Sequence, residues 1–172
     1  MIWVLALAAT IPTANWMIGH VGNCIPGGPC LIPVAPGLSA PSGVLMVGLA
    51  LVLRDIIHER LGWKWAMGAV AFGAVVSVAV APAALAVASG VAFLISELAD
   101  TAVYAPLRRK RLWLAVLLSG VAGALVDSAA FLWLAFGSLD YLAGNTVGKI
   151  LMSAAAAVFL AIRAHRGESI KP

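Results

Sequence analysis

Four ionisable side chains stand inside otherwise apolar stretches of this sequence: Glu97 and Asp100 in one, Asp127 in the next, and Lys149 in the last. A charge at the centre of a bilayer costs roughly 2.5–3.5 kcal/mol even on the lenient insertion scale, so each of these groups needs a partner or a task. Glu97 and Asp100 are three residues apart and share one helix face, a stripe that continues through Phe93 and Tyr104. Asp127 has Gly123 one turn before it and Phe131 one turn after, and Asn145 precedes Lys149 by four residues. Three carboxylates against one ammonium exceed what neutral packing requires, which leaves acceptors for a cation or for a ligand rich in N–H donors. A carboxylate can accept two parallel hydrogen bonds from one edge of a planar heterocycle while aromatic rings stack on its faces, and guanine-like rings have that edge. Phe93, Tyr104, Phe131 and Trp133 are the stacking candidates, and Asn145 and Lys149 the donors to a ring carbonyl. A buried salt-bridge cluster that only locks a helical bundle is the competing reading of the same charges.

The elements that carry these groups are membrane helices by composition. The 172 residues are 63% hydrophobic and 10% charged, with a mean hydropathy of +1.04, whereas soluble domains carry about 25% charged residues. Each crossing needs roughly 20 apolar residues. Six stretches meet that requirement approximately, at residues 2–20, 39–57, 65–81, 83–104, 112–136 and 142–164, and together they make one transmembrane domain over residues 1–172. The fold class expected is an all-α integral membrane protein built as a six-transmembrane-helix bundle. Residues 1–18 lack a basic leader segment and read as the first helix, not as a cleavable signal. Gly68, Gly73, Gly120, Gly123, Ala154 and Ala157 let helix backbones approach closely, and Pro82 marks the turn between the third and fourth helices.

Charge placement sets the expected topology. Ten of the eleven Lys and Arg fall in three segments: Arg54, Arg60 and Lys64, then Arg108 to Arg111, then Arg163, Arg166 and Lys171. The connections between them hold none, so the positive-inside rule puts the basic segments and both termini on the cytoplasmic side, and the membrane expected is a bacterial inner membrane. Arg54 and Asp55 sit at the cytoplasmic end of the second helix, and Trp63, Trp65 and Trp113 flank the basic loops as interfacial anchors. A membrane-side basic run accounts for Arg108 to Arg111 without nucleic acid.

Residues 22–42 break the helical pattern. They hold five of the nine prolines together with Gly27, Gly28 and Gly37, and cannot form a regular helix. Placed outside by the charge pattern, this structured loop either folds over the bundle and closes a cavity or serves as a plain connector. Cys24 and Cys30 lie in it on the oxidising side, at a spacing that allows a local disulfide. No His-Glu-x-x-His or Gly-x-Ser-x-Gly string is present, so the chain is not expected to be an enzyme, and no cofactor or metal is called for.

The string Ser96-Glu97-Leu98-Ala99-Asp100-Thr101-Ala102-Val103-Tyr104, the run Arg108-Arg109-Lys110-Arg111, and Val126-Asp127-Ser128 followed by Phe131 resemble the queuosine precursor transporter family, also called the VUT family. Arg54-Asp55 followed by His58 and Arg60 is similar as well. The resemblance implies a six-helix fold like the substrate-binding subunits of energy-coupling-factor importers and uptake of 7-deazaguanines such as 7-cyano-7-deazaguanine. It points to Glu97, Asp100, Asp127 and Lys149 as substrate or coupling groups. The first helix has no clean A-x-x-x-A ridge, Ala6 and Thr10 being the nearest small pair, so docking to a shared energising module is not supported. The partners expected are a small purine-like molecule and membrane lipid, with a homo-oligomer allowed. A small pore or holin-like membrane protein, with the same carboxylates lining a water path, is the alternative function.

Overall fold

The computed structural model describes residues 1–107 and 112–165. The basic run 108–111, Arg166 and Lys171 lie outside the described residues, as do the side chains of Asp55, Trp113, Ala157 and Arg163. Six helices form: α1 Ile2–His20, α2 Val44–Leu61, α3 Trp63–Ser77, α4 Ala83–Leu107, α5 Leu112–Phe136 and α6 Leu142–His165. Among the described residues, three helical segments are long and apolar enough to cross a membrane: Ile2–His20, Ala83–Leu107 and Leu117–Phe136. Arg54, Asp55, Glu59 and Arg60 crowd the end of α2, and α3 has 15 residues.

Boundaries shift where local chemistry intervenes. The second helix begins at Val44 instead of 39 because Leu38–Pro41 pairs as a strand, and it runs on to Leu61. Gly62 then stops it, with a φ of 91° that only glycine adopts readily and an N–H bonded back to the carbonyls of Ile57 and His58. The third helix starts directly afterwards and closes at Ser77, four residues before the expected end, as the chain enters a series of turns before Pro82.

Residues 22–42 fold into a small antiparallel sheet of β1 Asn23–Cys24, β2 Cys30–Ala35 and β3 Leu38–Pro41, ordered β1-β2-β3. Leu31, Ile32 and Pro33 pair with Pro41, Ala40 and Ser39, and the register shifts between Pro33 and Ala35, where proline removes a donor from the ladder. A disulfide joins Cys24 to Cys30, facing partners on β1 and β2. The sheet is seated on the bundle: Cys30, Ala40, Pro41 and Ser42 are buried, and Ser42 Oγ donates to the carbonyl of Met17 at 2.7 Å. Gly144 of α6 lies against the Ser39 backbone so closely that any Cβ there would collide with it.

Packing between neighbours closes a ring of helices in the order α1, α3, α4, α5, α6, α2. One apolar cluster joins α1, α2 and α3 through Leu7, Leu53, Ile57 and Val70, and a second joins α1, α4 and α5 through Ile18, Ala92, Phe131 and Leu132. Gly73 receives the α1 backbone at Ala8, and Gly123 receives Asp100. Gly68 and Gly120 meet nothing, so close packing does not account for them. Outside the ring, Phe72, Val75, Val87, Leu94, Leu98 and Leu125 are exposed, an apolar surface that suits lipid and not water. Trp63 and Trp65 are exposed on either side of Lys64, at the corner where interfacial anchors were expected.

Candidate functional site

At the middle of the ring is a cavity of about 70 Å³ to which all six helices contribute. Its lining is mostly apolar, with Phe93 from α4 and Phe131 from α5 among its walls, and Pro41, Gly43 and Val44 at the end nearest the sheet. From the sheet, Pro41 lines this cavity, followed by Gly43 and Val44 at the start of α2. The polar groups reaching the cavity are few: Thr10 and Asn15 from α1, Ser89 from α4, Asp127 from α5, and Asn145 and Lys149 from α6.

Lys149 is 2% exposed and its Nζ donates to Asp127 Oδ2 and, at 3.0 Å, to Ser128 Oγ. Helix geometry brings these groups together: α5 and α6 pack as neighbours, and Asp127 and Ser128 are adjacent on the turn that faces Lys149. An ammonium so deeply placed is held by its counter-ion, since an isolated charge in an apolar medium is prohibitive. Ser128 Oγ in turn donates to the Ala124 carbonyl at 2.7 Å, which fixes the hydroxyl as the acceptor for Lys149.

Glu97 and Asp100 do not reach this central cavity. They face a second one, of about 480 Å³, between α2, α4, α5 and α6. That volume lies in the range of about 300–1,000 Å³ typical of small-molecule pockets, whereas the central cavity is narrower. Arg54 of α2 turns inward and forms an ion pair with Glu97, both side chains being largely buried. The expectation of one ammonium against three carboxylates is corrected accordingly: Arg54 supplies a second cation, because its helix rotates it toward α4 instead of leaving it at a water-facing end. Among the described residues no hydrogen bond or ion pair engages Asp100, whose carboxyl packs beside Gly123. Lys149 lines both cavities and forms part of the wall between them.

The structure thus gathers Phe93, Asp127, Phe131, Asn145 and Lys149 around one cavity and Glu97 and Asp100 with Lys149 around the other. Tyr104 is half-buried and lines neither, because the stripe from Phe93 runs along α4 beyond both cavities. Trp133 is 62% exposed and faces outward. Phe131 is fixed by an edge contact with Phe136, their ring centres 5.8 Å apart. Arg54 and Asn15 are among the lining residues that escape the intramembrane-charge criterion. Asn15 is uncharged, and its only signal in the sequence is that it interrupts an apolar helix.

No curated protein and no solved structure matches the chain. A family model does: that of the family described as "Putative vitamin uptake transporter" matches residues 81–163, a span that holds α4, α5 and nearly all of α6. The matched span contains Phe93, Glu97, Asp100, Asp127, Phe131, Asn145 and Lys149, which are among the residues lining the two cavities from that half of the bundle. Over residues 81–163 the chain matches the family that its sequence strings resemble, the vitamin uptake transporters.

Proposed function

We propose that this protein imports a 7-deazaguanine precursor of queuosine, 7-cyano-7-deazaguanine or a close relative, and binds its ring in the central cavity. The observation that carries this reading is the Lys149–Asp127 pair, buried not in solid packing but on the wall of a cavity that also presents Phe93, Phe131 and Asn145. A pair that only locked the bundle would need no cavity beside it. Rearranged around a ligand, the Asp127 carboxylate accepts from the donor edge of the ring, Lys149 and Asn145 donate to its carbonyl, and the two phenylalanines flank its faces. The family match supports transport.

The narrow central cavity must widen to admit a ring. The cover at Pro41 to Val44 is the outer door in this scheme, and the larger cavity past Lys149, with Arg54, Glu97 and Asp100, is the inner route. Six crossings, cytoplasmic termini and a bacterial inner membrane complete the proposal, in which the protein works without a shared energising module and without covalent chemistry. Uptake of labelled 7-cyano-7-deazaguanine by cells that neither make nor import it tests the reading. Saturable uptake is expected from the wild type and none from Asp127→Asn. Ion conductance without saturable uptake would instead identify a pore.

A further inference from the structure

One carboxylate of the interior is left over when the charges are paired. Among the described residues lining the two cavities, Lys149 pairs with Asp127 and Arg54 with Glu97, and Asp100 remains. An ionisable group at membrane depth is costly, which makes a structural bystander an unsatisfactory account of it. Asp100 packs on Gly123 of α5, and Asp127 stands one turn further along the same helix, a rise of roughly 6 Å. Asp127 lines the central cavity and Asp100 the larger one, while Lys149 lines both. Two carboxylates thus flank one ammonium, on either side of the wall it helps to form. Lysine carries its charge on a flexible four-carbon stem with three donors, so it can turn toward a second acceptor while its backbone stays in place. Room for that turn comes from α5. Gly120 and Gly123 leave that side of the larger cavity without side chains, and nothing lies within 4 Å of where a Cβ on Gly120 would stand.

We infer that Lys149 exchanges counter-ions, leaving Asp127 for Asp100 when the N–H donors of a ligand occupy Asp127. An ammonium that is 2% exposed cannot be stranded, because losing one partner of a buried pair leaves the other charge uncompensated. Glu97 is already held by Arg54, so Asp100 is the carboxylate left to receive it. One of the three donors can stay on the ring carbonyl while another meets Asp100. The exchange moves an ionic tie from between α5 and α6 to between α4 and α6. It therefore loosens the wall between the central cavity and the inner route only once a ligand is in place. This rests on the reading above for what displaces Lys149, and adds to it how binding opens the way inward. Asp100 touches no ligand in this scheme and is a positioning residue that acts through Lys149.

The test has a ligand-free arm and a binding arm, both on the purified full-length protein in lipid nanodiscs. Without ligand, Asp100→Asn is expected to unfold at the wild-type temperature, since no described partner is lost. Asp127→Asn should lower the midpoint, and by at least about twice as much when Asp100→Asn is also present, because Lys149 then has no carboxylate on either side. With ligand, Asp100→Asn should bind 7-cyano-7-deazaguanine at least about tenfold more weakly than the wild type does. That loss should vanish in a Lys149→Met background, which a merely structural role for Asp100 would not produce. The binding arm decides if the variant lacking both carboxylates does not fold. Strictly additive midpoints, or wild-type affinity in Asp100→Asn, would overturn the exchange and leave the deazaguanine reading standing. Binding by neither the folded wild type nor any variant would overturn that reading, and the ligand-free arm alone then decides the exchange.

Discussion

Lys149 is the residue on which the interior of this protein turns, since it lines both cavities and pairs with Asp127. Removing one partner of a buried pair leaves the other uncompensated and costs about 3–5 kcal/mol, whereas replacing both by neutral groups is often tolerated. Asp127→Asn is therefore expected to lower the thermal unfolding midpoint in detergent, and Asp127→Asn with Lys149→Met to recover most of that loss. Uptake should be absent from both. Recovered stability without recovered uptake separates a binding role from a locking one, and uptake by the double variant would exclude the carboxylate from the site. Arg54 and Glu97 form a more accessible pair outside the central cavity. Glu97→Gln should leave the affinity for ligand in the central cavity within about threefold while slowing net uptake, as expected for a residue on the route and not in the site.

Among the elements, the sheet over the bundle and the helix beneath it meet at a single tight place. Gly144 of α6 leaves no room for a Cβ against the Ser39 backbone, and backbone cannot move aside as a flexible side chain can. Gly144→Ala should thus destabilise the protein by about 1–3 kcal/mol through overpacking and loosen the cover. Gly68→Ala is the matched control: nothing lies within 4 Å of the added carbon, so the helix should gain up to about 1 kcal/mol from lost backbone freedom in the unfolded chain. Thermal unfolding of the two variants side by side reads both signs. The disulfide closes a short loop in the same sheet, with Cys24 and Cys30 six residues apart. Replacing both by alanine should cost roughly 2 kcal/mol on the loop-entropy estimate and should leave the six helices intact by circular dichroism.

For the whole molecule, orientation and access are linked. The sheet adjoins the start of α2 and the basic corner Arg60 to Lys64 its end, so the two lie on opposite faces of the bundle. If the basic face is cytoplasmic, the disulfide faces the oxidising side, where such bonds persist. In intact spheroplasts, a membrane-impermeant reductant followed by an impermeant maleimide should label Cys24 and Cys30. Labelling only after the membrane is permeabilised would invert the topology and make the cavity beneath the sheet the inner one. The closed ring of helices also explains why a ligand needs motion to enter: the space around Asp127 and Lys149 is about 70 Å³, and the roomier space of about 480 Å³ lies on the other side of Lys149.

The sequence by itself determined the class and the parts. Apolar stretches of membrane length, prolines clustered in one connection and charges stranded in helices follow from local composition, and they located six helices, the irregular segment and Asp127, Asn145 and Lys149. Periodicity places a residue on a face of its own helix but says nothing of which neighbour that face meets. Only the tertiary structure decided that Lys149 pairs with Asp127 while Arg54 takes Glu97, which divides one expected acidic site into two cavities. It also decided that Asn15, silent in any count of charges, stands beside them with an N–H group that no described residue engages, since contacts between residues far apart in the chain depend on how the ring of helices closes.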